Sequence, residues 1–280
     1  MRLTVLVDNT TFIDRYYLAE PAVSYYLECD GRRLLFDVGY SDVFLHNALL
    51  MGLDLCALDA VILSHGHLDH LGGLPSLMRF WQTQPPEARP ADLPQLVAHP
   101  VALWPKRHPD LGDIGHQLSR SALGPALRRV LTTEPLWLSE HLVFLGEIPR
   151  HFDFEGRTPL GQRITPDGTV EDDPLVDDSA VVYRATDGLV IITGCAHAGI
   201  CNIVEYARQV CEEDRIRDII GGFHLLDPPV DQLKGTLDYL REIGVPQIHA
   251  GHCTDLPSRV ALAQVVPLAE MGVGLVLEYD

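Results

Sequence analysis

Apolar and polar positions repeat along this chain in two blocks with the same order of elements. In the first block, Leu3–Val7 alternates as a strand does. Ala22–Cys29 and Arg33–Val38 read as two more strands, joined through Asp30-Gly31. Asp-Gly between apolar runs suits a type I′ turn, because both central residues need positive φ. Ser41–Met51 has helical spacing and meets Gly52, a natural helix stop. Ala60–Leu63 is continuously apolar, as expected of a strand buried on both faces.

In the second block, Ala180–Ala185 and Leu189–Thr193 read as strands joined through Asp187-Gly188, followed by a helix over Ile200–Cys211. Ile216–Ile220 is a strand, Val230–Ile243 a helix and Gln247–Ala250 a strand. Ser258–Met271 has helical spacing, broken or kinked at Pro267, and Val273–Leu277 is a final strand. Each block runs hairpin, buried strand, helices, which points to an α/β fold layered as an αββα sandwich. Between the blocks, over about 82–178, the periodicity deteriorates. Pro85, Pro86, Pro90 and Pro94 crowd one short stretch, and Gly156 to Pro174 is rich in turn formers. The expectation is a single domain over 1–280 with an irregular insertion at about 82–178, either a surface excursion or a lid.

Composition narrows the function classes. With 280 residues, 46 % hydrophobic and 21 % charged, the chain can bury a sizeable core. Its formal net charge of −18 repels phosphate backbones, so a small-molecule substrate is expected rather than nucleic acid. No apolar run approaches the roughly 20 residues that span a bilayer, and Asp8 interrupts any secretory h-region, so no membrane association and a cytoplasmic location are expected. The oligomeric state stays open. The six cysteines form no C-x-x-C pair and read as free thiols, with Cys195 and Cys253 notable for lying near or beside histidines of interest.

The chemistry concentrates in Ser64-His65-Gly66-His67-Leu68-Asp69-His70, directly after the buried strand. In α/β sheets, ligands collect at that end of a strand. A tight loop through Gly66 can aim His65 and His67 at one ion, and Asp69 with His70 can serve a second. Imidazole and carboxylate suit zinc foremost, with iron or manganese as options. One loop cannot complete two shells. Three more histidines follow strands: His197 after Leu189–Ile192, His252 after Gln247–Ala250 and His224 after Ile216–Ile220. His224 is open between a ligand and a substrate contact. Asp8-Asn9 reads as a turn former or a site wall, and Asp177-Asp178 as a turn or strand entry. His46, His99, His108, His116, His141, His151 and His249 fit no ligand pattern.

The H-x-H-x-D-H run resembles the signature of the metallo-β-lactamase superfamily. Val7-Asp8-Asn9, Leu35-Phe36-Asp37-Val38-Gly39, Thr193–Asn202, Gly221–Leu225 and His252-Cys253-Thr254 resemble more narrowly the branch that includes 7,8-dihydropterin-6-methyl-4-(β-D-ribofuranosyl)-aminobenzene-5′-phosphate synthase. That resemblance implies a four-layer αββα sandwich and two divalent metal ions. One would be held by His65, His67 and His197, the other by Asp69, His70 and His252. Asp37 resembles the aspartate that orients a ligand imidazole. Many superfamily members have an aspartate or cysteine touching the second metal, on the strand after the His197 position. That stretch here is Gly221-Gly222-Phe223-His224, so an aspartate bridge is expected to be absent, with His224 as its candidate substitute. Asp255 follows His252-Cys253-Thr254 where the branch commonly has glycine; it reads as a substrate contact or a helix cap.

Two cations sharing a water bring its pKa toward neutrality and create a hydroxide nucleophile. Asp69 can orient it and shuttle its proton. The leading expectation is a metal-dependent hydrolase of an ester-like, more phosphoester than lactam, small molecule. A synthase-like transferase is the alternative; the only lysines, Lys106 and Lys234, offer it no dedicated phosphate clamp. A diiron redox or sensing protein is disfavoured by Leu68 and by the lack of room for a flavin domain.

Overall fold

The computed structural model describes residues 1–90, 92–115 and 127–280; His116 lies outside them. Along the chain run β1 (Arg2–Val7), β2 (Ser24–Cys29), β3 (Arg32–Phe36), α1 (Val43–Leu50), β4 (Ala60–Ile62), α2 (Leu68–Leu71), α3 (Leu74–Thr83) and β5 (Gln95–Ala98). Then come β6 (Lys106–His108), β7 (Gly112–Asp113), β8 (Arg128–Leu131), β9 (Leu136–Trp137), β10 (Leu142–Phe144), β11 (Gln162–Ile164) and β12 (Val170–Asp172). The last stretch holds β13 (Ala180–Ala185), β14 (Gly188–Thr193), α4 (Ile200–Cys211), β15 (Ile216–Gly222), α5 (Val230–Ile243), β16 (Ile248–Gly251), α6 (Leu256–Leu262) and β17 (Val276–Glu278).

Two large sheets form, of order β17-β1-β2-β3-β4-β5-β8 and β16-β15-β14-β13-β10-β9. Their central strands are apolar on both faces because each serves two layers. Ala60 and Ile62 of β4, and Val190 and Ile192 of β14, point into the space between the sheets with Tyr25, Phe36 and Phe144. The alternate residues Val61 and Leu63 pack outward against Phe44 of α1 and Leu74 and Leu77 of α3. Leu189 and Ile191 pack outward against Ile203 and Val204 of α4 and Leu240 of α5. Period-two alternation between three apolar spaces is the αββα sandwich that the sequence predicts. Each fully buried aliphatic or aromatic side chain contributes roughly 1.5–3 kcal/mol.

The first hairpin turns as expected. Asp30 (φ 50°) and Gly31 (φ 74°) are its two loop residues. In the second hairpin Gly188 pairs with Ala185, so the loop is Thr186-Asp187, one position earlier than expected. The region 82–178 is not simply an irregular insertion. It supplies β5 and β8, parallel continuations of the first sheet, and β9 and β10 of the second. The remainder builds a separate four-stranded sheet, β12-β11-β6-β7. These strands are short and rich in charge, which hides their periodicity.

The expected helix over Ser258–Met271 is also corrected. Asp255 caps α6 by accepting from Ser258 N at 2.8 Å, and α6 ends at Leu262, well before Pro267. Beyond it the chain lies along β16: Ile248 N donates to Pro267 O and Ala269 N to Ile248 O. Pro267 cannot donate from its own nitrogen, but its carbonyl serves the strand. β17 starts later than expected, at Val276, and pairs with β1.

Candidate metal centre

The parallel strands end at one edge of the sandwich. β3 runs into Asp37, β4 into Ser64 and His65, β14 into Cys195 and His197, β15 into His224, β16 into His252, while the antiparallel β1 ends there at Asp8. Four non-glycine residues in this rim hold positive φ: Asp37 (57°), Ala196 (61°), His224 (49°) and His252 (41°). Strained backbone of this kind persists where the surroundings over-determine it, and it clusters at functional sites.

His65, His67 and His197 offer ring nitrogens all within 4.8 Å of one another. All three are buried. His65 Nε2 lies 3.0 Å from His67 Nδ1. Burial, reinforced by neighbouring imidazoles, holds His65 and His197 well below the usual histidine range. Burial brings His67 down to about 4. The triad is thus three neutral donors at physiological pH, the state a metal needs.

Beside it stand Asp69, His70, Cys195 and His252, whose ligand atoms are likewise within 4.8 Å of one another. Burial alone would lower the pKa of His70, but the Asp69 and Asp37 carboxylates outweigh it and raise it well above the usual range. Asp69 correspondingly stays ionised: burial opposes this, and His70 with His252 overcome it. Asp37 is fully buried at the base. Its Oδ1 accepts from Ser64 N and its Oδ2 from Ser64 Oγ, both at 2.7 Å. Asp37 Oδ2 also lies 2.7 Å from His70 Nδ1, which turns His70 Nε2 toward Cys195 Sγ at 3.1 Å. Gly194 has no room for a side chain here, since a Cβ would sit 2.1 Å from Ser64 Oγ. Asp8 Oδ2 accepts from His252 N at 3.0 Å and Asn9 Oδ1 lies 3.1 Å from His252 Nδ1. Asp8-Asn9 therefore frames the site by holding His252.

His224 joins a third grouping, with Cys195 and His197, and its ring centroid lies 4.1 Å from that of His197. The cysteine near the second position lies just beyond β14, two residues before His197. The Gly221–His224 stretch brings His224 and no aspartate to the cluster, and Cys195 stands in the second and third groupings. The signal was Gly194-Cys195 at a strand end, two residues from a candidate ligand. Asp255 takes up its capping alternative and also accepts from Asp227 N. His249 pairs with Asp218, His99 with Glu147 and His141 with Asp30, away from the cluster.

A metal fits these residues on one further ground. Among the described residues, His67 Nε2, His197 Nε2, His252 Nε2 and His224 Nδ1 are buried without a hydrogen-bond partner. A buried polar group left unmade costs about 1–3 kcal/mol, and several gathered in clusters of ligand atoms are what a cation satisfies.

This arrangement is that of an αββα protein with clustered histidine, aspartate and cysteine side chains able to hold metal at the edge of its sheets. The model of the metallo-beta-lactamase superfamily matches residues 18–252, and the chain belongs to that superfamily. The chain is 27 % identical to the 7,8-dihydropterin-6-methyl-4-(β-D-ribofuranosyl)-aminobenzene-5′-phosphate synthase of Methanocaldococcus jannaschii, over 91 % of this chain and 87 % of that one. The solved structure of Tm1679, described as a metal-dependent hydrolase of the β-lactamase superfamily, superposes with a TM-score of 0.82 at 27 % identity over 100 % of both chains. Unliganded yeast PDE1 shares the fold, with a TM-score of 0.58 at 13 % identity over 99 % of this chain and 98 % of that one. Among the described residues, no helix is long and apolar enough to cross a membrane.

Proposed function

We propose that this protein is a dinuclear-metal-dependent hydrolase of ester-like small molecules, phosphoesters foremost. The observation that carries the reading is the pairing of a neutral triad, His65/His67/His197, with a second group that adds a carboxylate and a thiol, Asp69/His70/Cys195/His252. Zinc fits the donor set, and iron or manganese are alternatives. Such ions, when bound, supply a water ionised near neutral pH and polarise the oxygen of the scissile group. The protein's own residues do the rest. Asp69 stays ionised, with its side chain one-third exposed, so its carboxylate can orient a water and accept its proton. Asp37 and Asn9 keep His70 Nε2 and His252 Nε2 facing inward.

A cavity of about 290 Å³ that reaches His197 and His224 supports a small-molecule substrate there. Phe154, Leu160 and Leu226 give it apolar walls, and Arg157 and Gln232 polar ones. A larger cavity, about 650 Å³, lies beside Phe12, Tyr17 and β17 and holds none of the clustered histidines. The six cysteines are all free, which suits a reducing, cytoplasmic setting.

A second reading, transfer chemistry like that of the M. jannaschii synthase, is favoured by 27 % identity spread over 91 % of the chain. Against a phosphate-gripping role, Lys106 is fully buried in ion pairs with Asp173 and Asp177. The test is a panel of phosphodiesters, phosphomonoesters and carboxylesters with metal-loaded protein, His67→Ala serving as control. Hydrolysis that falls at least about a hundredfold in the variant supports the proposal. Equal turnover by both proteins, or condensation of a dihydropterin diphosphate without any hydrolysis, sinks it.

A further inference from the structure

Three consecutive residues outside the ligand groups grip both loops of the neutral triad. Asp177 Oδ2 accepts from Gly66 N at 2.9 Å, and Gly66 stands between His65 and His67. Asp178 Oδ2 accepts from Ala198 N at 2.8 Å, immediately after His197. Ser179 N donates to Ser64 O at 2.9 Å. The grip is anchored in the small sheet. Lys106 Nζ on β6 donates to Asp177 Oδ1 at 2.9 Å and also to Asp173 Oδ2, and all three side chains are wholly buried. The loop has no slack against this anchor: a Cβ on Gly66 would meet Ala102 O at 2.4 Å and Lys106 Cε at 2.7 Å. The small sheet continues the hold, with Leu68 N donating to Ile114 O at 2.8 Å.

Buried ion pairs rarely add stability over packed apolar residues of the same volume. Apolar residues could not do what Asp177 does, which is to accept the Gly66 N–H from a place fixed by a cation. Groups that orient metal ligands typically change affinity by 10–100-fold when removed.

We propose that Lys106, acting through Asp177 and Gly66, is a positioning residue that sets how tightly the His65/His67/His197 position holds its ion. This rests on the dinuclear reading above. The test titrates Co²⁺ into metal-free protein against a chromophoric chelator, and follows the thiolate-to-cobalt band that Cys195 gives the second position. Wild type, Lys106→Ala and the double variant Lys106→Met/Asp177→Asn are compared. The double variant keeps the cluster's net charge, and the amide carbonyl that replaces the Asp177 carboxylate can still accept from Gly66 N. The expected result is two ions in wild type, one of them weakened about 10–100-fold in Lys106→Ala with the thiolate band retained, and recovery to within about tenfold of wild type in the double variant. Unchanged affinity in Lys106→Ala overturns the proposal, as does equal loss at both positions. A double variant that fails to recover or to fold also overturns it. Wild type binding fewer than two ions overturns the dinuclear reading itself, which separates the two failures.

Discussion

The two ligand groups lie side by side and are built on opposite electrostatic plans. His65, His67 and His197 are neutral, buried and fixed from behind by backbone hydrogen bonds to Asp177 and Asp178. Asp69, His70, Cys195 and His252 are charged or ionisable, and two of them are oriented through their own rings by Asp37 and Asn9. The first group is preorganised by burial, which keeps protons off its nitrogens. The second is preorganised by carboxylates, which attract a proton to His70 that a metal must displace. A cation therefore meets little competition in the first group and a proton in the second.

Replacing the carboxylate at the base breaks this comparison most severely. Asp37→Ala leaves Ser64 and His70 without their buried partner. It is expected to weaken the second position about 100-fold and to destabilise the metal-free protein by about 3 kcal/mol, read by metal titration and by denaturant unfolding. Intact second-position affinity would show that His70 needs no orienting carboxylate.

Proton release sharpens the contrast. With His67 down at about 4 and its triad partners also depressed, filling the first position should release no protons at pH 7. With His70 raised and the Cys195 thiol pushed well up by burial and Cys253, the second should release about one or two. Second-position affinity should then fall at least about tenfold per pH unit below 7, while the first holds to about pH 5. Calorimetry in buffers of different ionisation enthalpy counts the protons, and equal counts at both positions would erase the distinction.

The helices behind the two groups differ in the same way. Glu155 is buried, accepts from Asn202 N at 2.7 Å at the start of α4, and is pushed up to about 7 by burial. Asp255, half-buried at the start of α6, is instead held low by hydrogen bonds from Asp227 and Ser258. A carboxyl raised in the folded state favours the protonated fold, so stability falls as pH rises from about 4.5 through about 7. Glu155→Gln keeps the acceptor and removes that loss. The variant should be more stable than wild type by about 3 kcal/mol above pH 7 and equal to it below pH 4.5, by denaturant unfolding. A pH-independent difference would assign the effect to packing.

The smallest expected effect lies at the exposed rim. Asn9→Ala removes the partner of His252 Nδ1 but leaves the Asp8 bond to its backbone, so second-position affinity should drop about tenfold or less in the same titration. A loss as large as that of Asp37→Ala would mean that the rim and the base orient their histidines equally.

Several parts of this molecule were legible in the amino-acid order. The Asp30-Gly31 turn, the helices over Ile200–Cys211 and Val230–Ile243, and the doubly buried strands follow from φ preferences and apolar spacing. Those are local properties, each decided within a few residues. The convergence of His65, His67, Asp69 and His70 with His197 and His252 was also foreseeable, because strand ends in parallel sheets share an edge. Short polar strands such as Lys106–His108 and Gln162–Ile164 carry too few residues for a period to emerge, and 82–178 therefore read as irregular. Cys195 sat in plain view as a strand-end residue, but nothing local distinguishes a thiol that joins a metal-type cluster from one that is merely buried.

The sequence by itself determined the long strands and helices, the family they make and the histidines and aspartate able to bind metal, since spacing and side-chain chemistry act at short range. Only the tertiary structure decided what holds those residues in place. Lys106 meets Asp177 across 71 positions and Asp177 meets Gly66 across 111. No periodicity links residues so far apart, and a buried carboxylate becomes tolerable at Asp177 only once packing has delivered a cation and a backbone N–H to its two oxygens.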